Sequence, residues 1–123
     1  MNRKYRLLII DDNEEILVSL KNFFSKKNYN VISASNGLDA LKLIEAATDD
    51  FDLVITDLVM PNISGVAVTA IIKKKNPKMP VIAITGYGEQ PEALAKEVHA
   101  DIVMEKPFKL NALESNILKL LPK

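Results

Sequence analysis

The chain has 123 residues, 48% of them hydrophobic and 26% charged, with 16 basic side chains against 16 acidic ones. That is the composition of an ordinary soluble domain long enough to bury one core, and zero formal net charge argues against a dedicated nucleic-acid binder. Cysteine is absent, which excludes disulfides, thiolate metal sites and thiol nucleophiles.

The first apolar run, Leu7 to Ile10, is far short of the roughly 18 residues a membrane span requires. Arg3, Lys4 and Arg6 precede it, but Asp11 and Asp12 follow at once, so no signal peptide is expected from this run. A cytoplasmic, unprocessed protein is expected. Charge is slightly uneven. Residues 1–61 hold 7 basic and 10 acidic side chains, and residues 62–123 hold 9 and 6, which suggests at most a polar partner surface.

In chain order, Tyr5–Ile10 reads as a buried strand. Ile16, Leu20, Phe23 and Phe24 then recur at helical spacing, a core stripe by default. A weaker strand follows at Asn30–Ala34. Asn36-Gly37 marks a turn, and Leu38, Leu41 and Ile44 form a second stripe. Phe51–Thr56 is the third strand. After Gly65 comes a helix carrying Val66, Thr69 and Ile72, and Pro80–Ile84 is the fourth strand. Pro91 opens a short helix with Leu94 and Val98. Asp101–Met104 is the fifth strand. Leu110, Leu113, Ile117 and Leu120 make the last stripe, which Pro122 ends. Strand and helix thus alternate five times, which implies one α/β domain, a doubly wound (βα)5 parallel sheet covered on both faces. Residues 1–123 are expected to be that single domain.

The polar residues that could carry chemistry fall at strand ends. Asp11 and Asp12 follow the first strand, Asp57 the third, Thr85 the fourth and Lys106 the fifth. In a parallel sheet these ends share one edge, where open α/β folds bind ligands. Three converging carboxylates repel. Two unit charges 4 Å apart interact by roughly 4 kcal/mol at an effective dielectric of about 20. Either one carboxyl holds its proton or a cation binds, and an all-oxygen set suits Mg2+. Lys106 adds a fixed positive charge and Thr85 a hydroxyl, which together suit a phosphoryl group. Asp57, alone on the central strand, is the best candidate for a nucleophile that forms an aspartyl phosphate.

Each residue also has a plainer role open to it. Asp12 would cap the first helix, with Glu15 completing a capping box. Asp57 would be a turn residue before Pro61, Thr85 a turn or cap hydroxyl, and Lys106 a solvated lysine. All four plain roles at once would require a coincidence at four strand ends. His99, the lone histidine, reads as a polar surface or capping group. Lys73, Lys74 and Lys75 read as favouring the negative end of the third helix rather than a nucleic-acid patch.

The chain resembles the receiver (CheY-like) domain of two-component response regulators over essentially its whole length. The resemblance rests on Asp11-Asp12, on Asp57 with Met60-Pro61 and Gly65, on Thr85-Gly86 and on Lys106-Pro107-Phe108. It implies strand order 2-1-3-4-5. It implies Asp57 as phosphoacceptor, with Asp12, Asp57 and the Val59 carbonyl as direct Mg2+ ligands and Asp11 acting through water. Thr85 and Lys106 would contact the phosphoryl oxygens, Gly86 would keep access open, and the Lys106-Pro107 bond would be cis.

A sensor histidine kinase or phosphotransfer protein would supply the phosphoryl group. A face of the fourth helix, fifth strand and fifth helix would carry the signal to an unidentified output partner, without direct contact to nucleic acid or membrane. The chain would catalyse its own phosphorylation and dephosphorylation without being a turnover enzyme. Val103 stands where the family often has Tyr or Phe, so Tyr87 is considered as a substitute gate. Apolar Val59 and bulky Tyr87 beside the phosphate predict a long-lived phosphoryl group. Two other functions compete. A small aspartyl-phosphate phosphatase would need a second carboxylate where Val59 stands, and a substrate cap. An inert binding module would have no reason to keep all five site residues.

Overall fold

The computed structural model describes residues 4–47, 51–86 and 99–122. Strands β1 (Arg6–Ile10), β2 (Asn30–Ala34), β3 (Leu53–Asp57), β4 (Val81–Thr85) and β5 (Ile102–Glu105) form one parallel sheet in the order β2-β1-β3-β4-β5. Helices α1 (Glu14–Lys26), α2 (Gly37–Ala47), α3 (Gly65–Lys75) and α4 (Leu110–Leu120) complete the described elements. The expected doubly wound (βα)5 sheet and its strand order are borne out. The helix expected around Leu94 and Val98, and Tyr87 with it, lie outside the described residues.

Side chains alternate across the sheet, as strand geometry requires. Leu7, Ile9, Leu53, Ile55, Ile82 and Ile84 meet Leu17, Leu20 and Phe24 of α1 and Leu113 and Ile117 of α4 on one face. On the other, Leu8, Ile10, Val54 and Val81 meet Ala40 and Ile44 of α2 and Val68 and Ile72 of α3. Burial on both faces is why the strands read as unbroken apolar runs.

Helix faces differ from expectation. α2 buries Ala40 and Ile44 while Leu38 is 53% exposed, and α3 buries Gly65, Val68, Thr69 and Ile72 while Val66 is 41% exposed. Spacing at three drifts off a 3.6-residue period, so a stripe counted only in threes rotates out of the core within a turn or two.

Local chemistry sets the helix starts. The Asn13 side-chain oxygen accepts the amides of Glu15 and Ile16 at 2.9 and 3.2 Å, so Asn13 caps α1 and not Asp12. Asn36 accepts the Asp39 amide at 2.8 Å and donates its own amide to Asp39 Oδ2 at 3.0 Å, a reciprocal cap that opens α2. A side chain on Gly37 would meet Ile63 at 2.8 Å, so this glycine answers to close packing as the first residue of a helix. Lys73, Lys74 and Lys75 do occupy the last turn of α3, as the dipole argument expected.

Candidate functional site

Strand pairing carries the functional residues to the carboxyl edge of the sheet. Asp57 and Thr85 are the last residues of β3 and β4, paired with Ile84 and Glu105. They therefore belong to the ladder rather than to the turns after it. Backbone pairing runs one residue beyond the apolar run because ladder hydrogen bonds are indifferent to the side chain. Asp11 leaves β1, with its amide donating to Ala34 O at 3.2 Å. The Lys106 amide donates to Thr85 O at 2.9 Å, which ties the start of the last loop to β4.

The side chains converge. Asp11, 4% exposed, accepts the Asn13 amide on Oδ1 at 2.9 Å and the Lys106 ammonium on Oδ2 at 3.1 Å. Asp57 accepts the Val59 amide on Oδ1 at 3.4 Å and the same ammonium on Oδ2 at 3.2 Å. Carboxylate oxygens of Asp11, Asp12 and Asp57 lie within 4.8 Å of one another, and Asp12 is the exposed member. With the cap assigned to Asn13, Asp12 is left to this cluster.

Among the described residues, one ammonium thus contacts two members of a three-carboxylate cluster. Burial, then the neighbouring Asp11 charge, push the Asp57 carboxyl above the usual range, against the opposing pull of Lys106 and the Val59 amide. Burial works to lower Lys106, but its two carboxylate partners outweigh it and hold the ammonium above its ordinary value. The surplus negative charge and the all-oxygen donor set fit a hard divalent cation. Thr85 gives a second sign that a partner belongs here. Its hydroxyl is buried, the residue is 1% exposed, and Oγ1 has no hydrogen-bond partner among the described residues. A buried polar atom of that kind costs free energy unless something binds it.

The surrounding positions explain themselves in part. A methyl on Gly65 would stand 1.8 Å from the Asp57 carbonyl oxygen, so α3 starts in direct contact with the end of β3. A methyl on Gly86 would meet nothing within 4 Å, so packing among the described residues does not demand glycine there. Val59 is 68% exposed. Val103 is half-buried against Leu58 and Ala83. The Lys106-Pro107 bond is cis, as expected.

His99 is exposed at φ 59°, consistent with a surface role. Lys73 is more than a helix-end charge. Its ammonium contacts Asp101 Oδ2 and Met79 O, both at 2.7 Å. One residue at the site escaped the sequence reading. Thr56, wholly buried, donates its hydroxyl to Asp57 O at 2.9 Å. Its signal was a lone hydroxyl between the apolar run Leu53–Ile55 and Asp57.

The chain matches the family model of the response regulator receiver domain over residues 7–118. It is 31% identical over 122 residues to the alkaline phosphatase synthesis transcriptional regulatory protein PhoP of Bacillus subtilis, covering 98% of this chain but only 49% of that protein. Against the sporulation initiation phosphotransferase F of the same organism it is 32% identical, covering 99% and 96%. Among solved structures it resembles the response regulator protein TrrA of Thermotoga maritima in complex with Mg2+ and a beryllium fluoride. The TM-score is 0.83 and the identity 34%, over 95% of this chain and 99% of that one. The chain therefore spans about half the length of the PhoP protein and nearly all of the phosphotransferase.

Proposed function

Because the chain belongs to the response regulator receiver family, we propose that residues 1–123 form one receiver domain in which Asp57 accepts a phosphoryl group from a phosphohistidine. Receiver domains are in general phosphoacceptors rather than turnover enzymes, and they bind Mg2+ at an acidic pocket. The observation that carries the reading for this chain is the cluster of Asp11, Asp12 and Asp57, two of them held by the Lys106 ammonium, together with the buried Thr85 hydroxyl that has no partner among the described residues.

An Asp57 carboxylate oxygen attacks phosphorus. A P–O bond forms as the P–N bond of the phosphohistidine breaks, and the imidazole leaves with the bond's electron pair and takes a proton from solvent. Lys106 and Thr85 bind the phosphoryl oxygens from two sides, and their positions are set by the fold before reaction. Asp12, Asp57 and the Val59 carbonyl would hold Mg2+ directly and Asp11 through water, and the bound ion supplies the positive charge that the cluster lacks. Hydrolysis of the phosphoryl group is self-catalysed. It is slow because apolar Val59, two residues after Asp57, and bulky Tyr87, two after Thr85, hold the sequence positions that in this family flank the phosphate. A lifetime of only seconds in buffer with Mg2+ contradicts this.

The signal starts at Thr85. Once its hydroxyl engages a phosphate, Gly86 and the residues after it follow, in a shift between two populated states. The output face is the segment around Leu94 and Val98 with β5 and α4, and Tyr87 replaces the aromatic switch that Val103 lacks. The phosphodonor is a sensor histidine kinase or phosphotransfer protein, and the output partner is a protein rather than nucleic acid or membrane. No helix among the described residues is long and apolar enough to cross a membrane, and a cytoplasmic setting suits both partners.

Incubation with acetyl phosphate or phosphoramidate and Mg2+, read by intact mass, tests the proposal. One added phosphoryl group, absent in Asp57→Asn, is expected. No uptake from either donor rejects it, and many turnovers of phosphoester would point to a phosphatase.

A further inference from the structure

Asp57 sits where β3 runs out of neighbours. The β1 ladder stops at Ile10 opposite Thr56, one residue short of Asp57, and only β4 continues alongside. The Asp57 carbonyl instead accepts the Thr56 hydroxyl at 2.9 Å in a fully buried setting. Gly65 closes in on the same oxygen, since a methyl there would stand 1.8 Å from it. The Gly65 amide donates to Leu58 O at 3.0 Å, and its carbonyl accepts the buried Thr69 hydroxyl at 2.8 Å. The peptide linking Asp57 to Leu58 is thus gripped between a hydroxyl and the start of α3.

Neither threonine touches the Asp57 carboxylate in any described hydrogen bond. A hydroxyl among Leu53, Val54 and Ile55 also runs against the burial that defines this strand, and valine would have the same shape without the polar atom. We infer that Thr56 is a positioning residue for the acceptor. Its hydroxyl fixes the plane of the Asp57–Leu58 peptide, and so the direction in which the Asp57 carboxylate meets Asp11 and Lys106. The inference rests on Asp57 being the acceptor. Reaction rates are sensitive to such direction, because a displacement near 1 Å can cost about a hundredfold.

The test compares Thr56→Ser with Thr56→Ala, which are close in size and differ in the hydroxyl. Thr56→Val is a third variant that preserves the packing. Phosphoryl uptake from phosphoramidate with saturating Mg2+ is followed by intact mass, at a temperature where circular dichroism shows each variant folded. Thr56→Ala and Thr56→Val are expected to react about tenfold more slowly than wild type, with Thr56→Ser within about threefold of it. The 19F spectrum of the Mg2+–beryllofluoride adduct is expected to shift in the hydroxyl-free variants and to return to the wild-type position in Thr56→Ser. Equal rates and equal spectra for Ser and Ala overturn the positioning role while leaving the acceptor reading intact. Wild type that takes up neither phosphoryl nor beryllofluoride overturns the acceptor reading first, and this inference with it.

Discussion

Among the described residues, Lys73 and Lys106 are both held by aspartates, and the difference between their settings separates a closed ion pair from one that is short of partners. Lys73, in the last turn of α3, meets a single carboxylate. Asp101 Oδ2 takes its ammonium at 2.7 Å and the Val81 amide at 2.8 Å, while Met79 O takes a second contact at 2.7 Å. One positive charge meets one negative charge, and backbone groups complete the contacts. At the carboxyl edge, Lys106 divides itself between Asp11 and Asp57 at 3.1 and 3.2 Å, with Asp12 also close and the Thr85 hydroxyl without a partner. The first network is closed and fastens α3 to β4. The second is short of positive charge and of hydrogen bonds, and such a deficit is what a cation and a phosphoryl group would fill.

The sharpest way to break the contrast is to neutralise one aspartate from each network. Asp57→Asn is expected to abolish phosphoryl uptake from a small donor. Asp101→Asn is expected to leave uptake within about twofold while costing roughly 1–3 kcal/mol of stability, because it loosens a lysine and a backbone amide together. Loss of uptake in Asp101→Asn, read by intact mass, would dissolve the distinction.

The lysines give the next largest effect. Lys106→Met is expected to slow uptake by about a hundredfold, the usual loss when one fixed donor to a developing charge is removed. Lys73→Met is expected to leave the rate unchanged and to lower the melting temperature. Matching rates for the two variants in a stopped-time mass assay would show that Lys106 is only another tether.

Packing at the reactive edge comes third. Gly65→Ala forces a methyl against the Asp57 carbonyl, and a cost of about 1–3 kcal/mol in denaturant unfolding is expected. Gly86→Ala, by contrast, is expected to leave stability within about 0.5 kcal/mol, because a methyl there meets nothing within 4 Å. A loss at Gly86 comparable with that at Gly65 would contradict the packing account.

The smallest effect concerns pH. Asp57 has its folded pKa raised by burial and by Asp11. The folded state therefore binds this proton more tightly than the unfolded chain. The group's contribution to stability is complete below its unfolded pKa and is lost as pH rises through the folded value. The melting temperature of metal-free protein should fall modestly across that window, and Asp57→Asn should not show that fall. Mg2+ should stabilise wild type more than the variant at neutral pH. Identical pH profiles for the two proteins would remove the charge-deficit account.

Much of the fold was legible because its signals are local. Apolar runs of four to six residues separated by helical spacings give the order of elements, and that order limits the sheet to a few topologies. The site residues were legible for the same reason, since each stands at the end of its run. Helix faces were less so. Leu38 and Val66 looked like core and lie exposed, while Ala40 and Val68 carry the packing. Capping of α1 was one of two roles open to Asp12, yet Asn13 has the geometry, and two adjacent residues of nearly equal capping preference are separated only by where the chain turns.

The sequence alone therefore determined which residues could stand at the reactive edge, because hydrophobic periodicity and strand ends are properties of neighbours along the chain. Only the tertiary structure decided that Lys106 reaches across 95 positions to Asp11 and 49 to Asp57. It also decided that the Thr85 hydroxyl has no partner among the described residues and that Thr56 turns its hydroxyl onto the Asp57 carbonyl. These are distances between segments that meet only when the sheet closes, and no local preference encodes them.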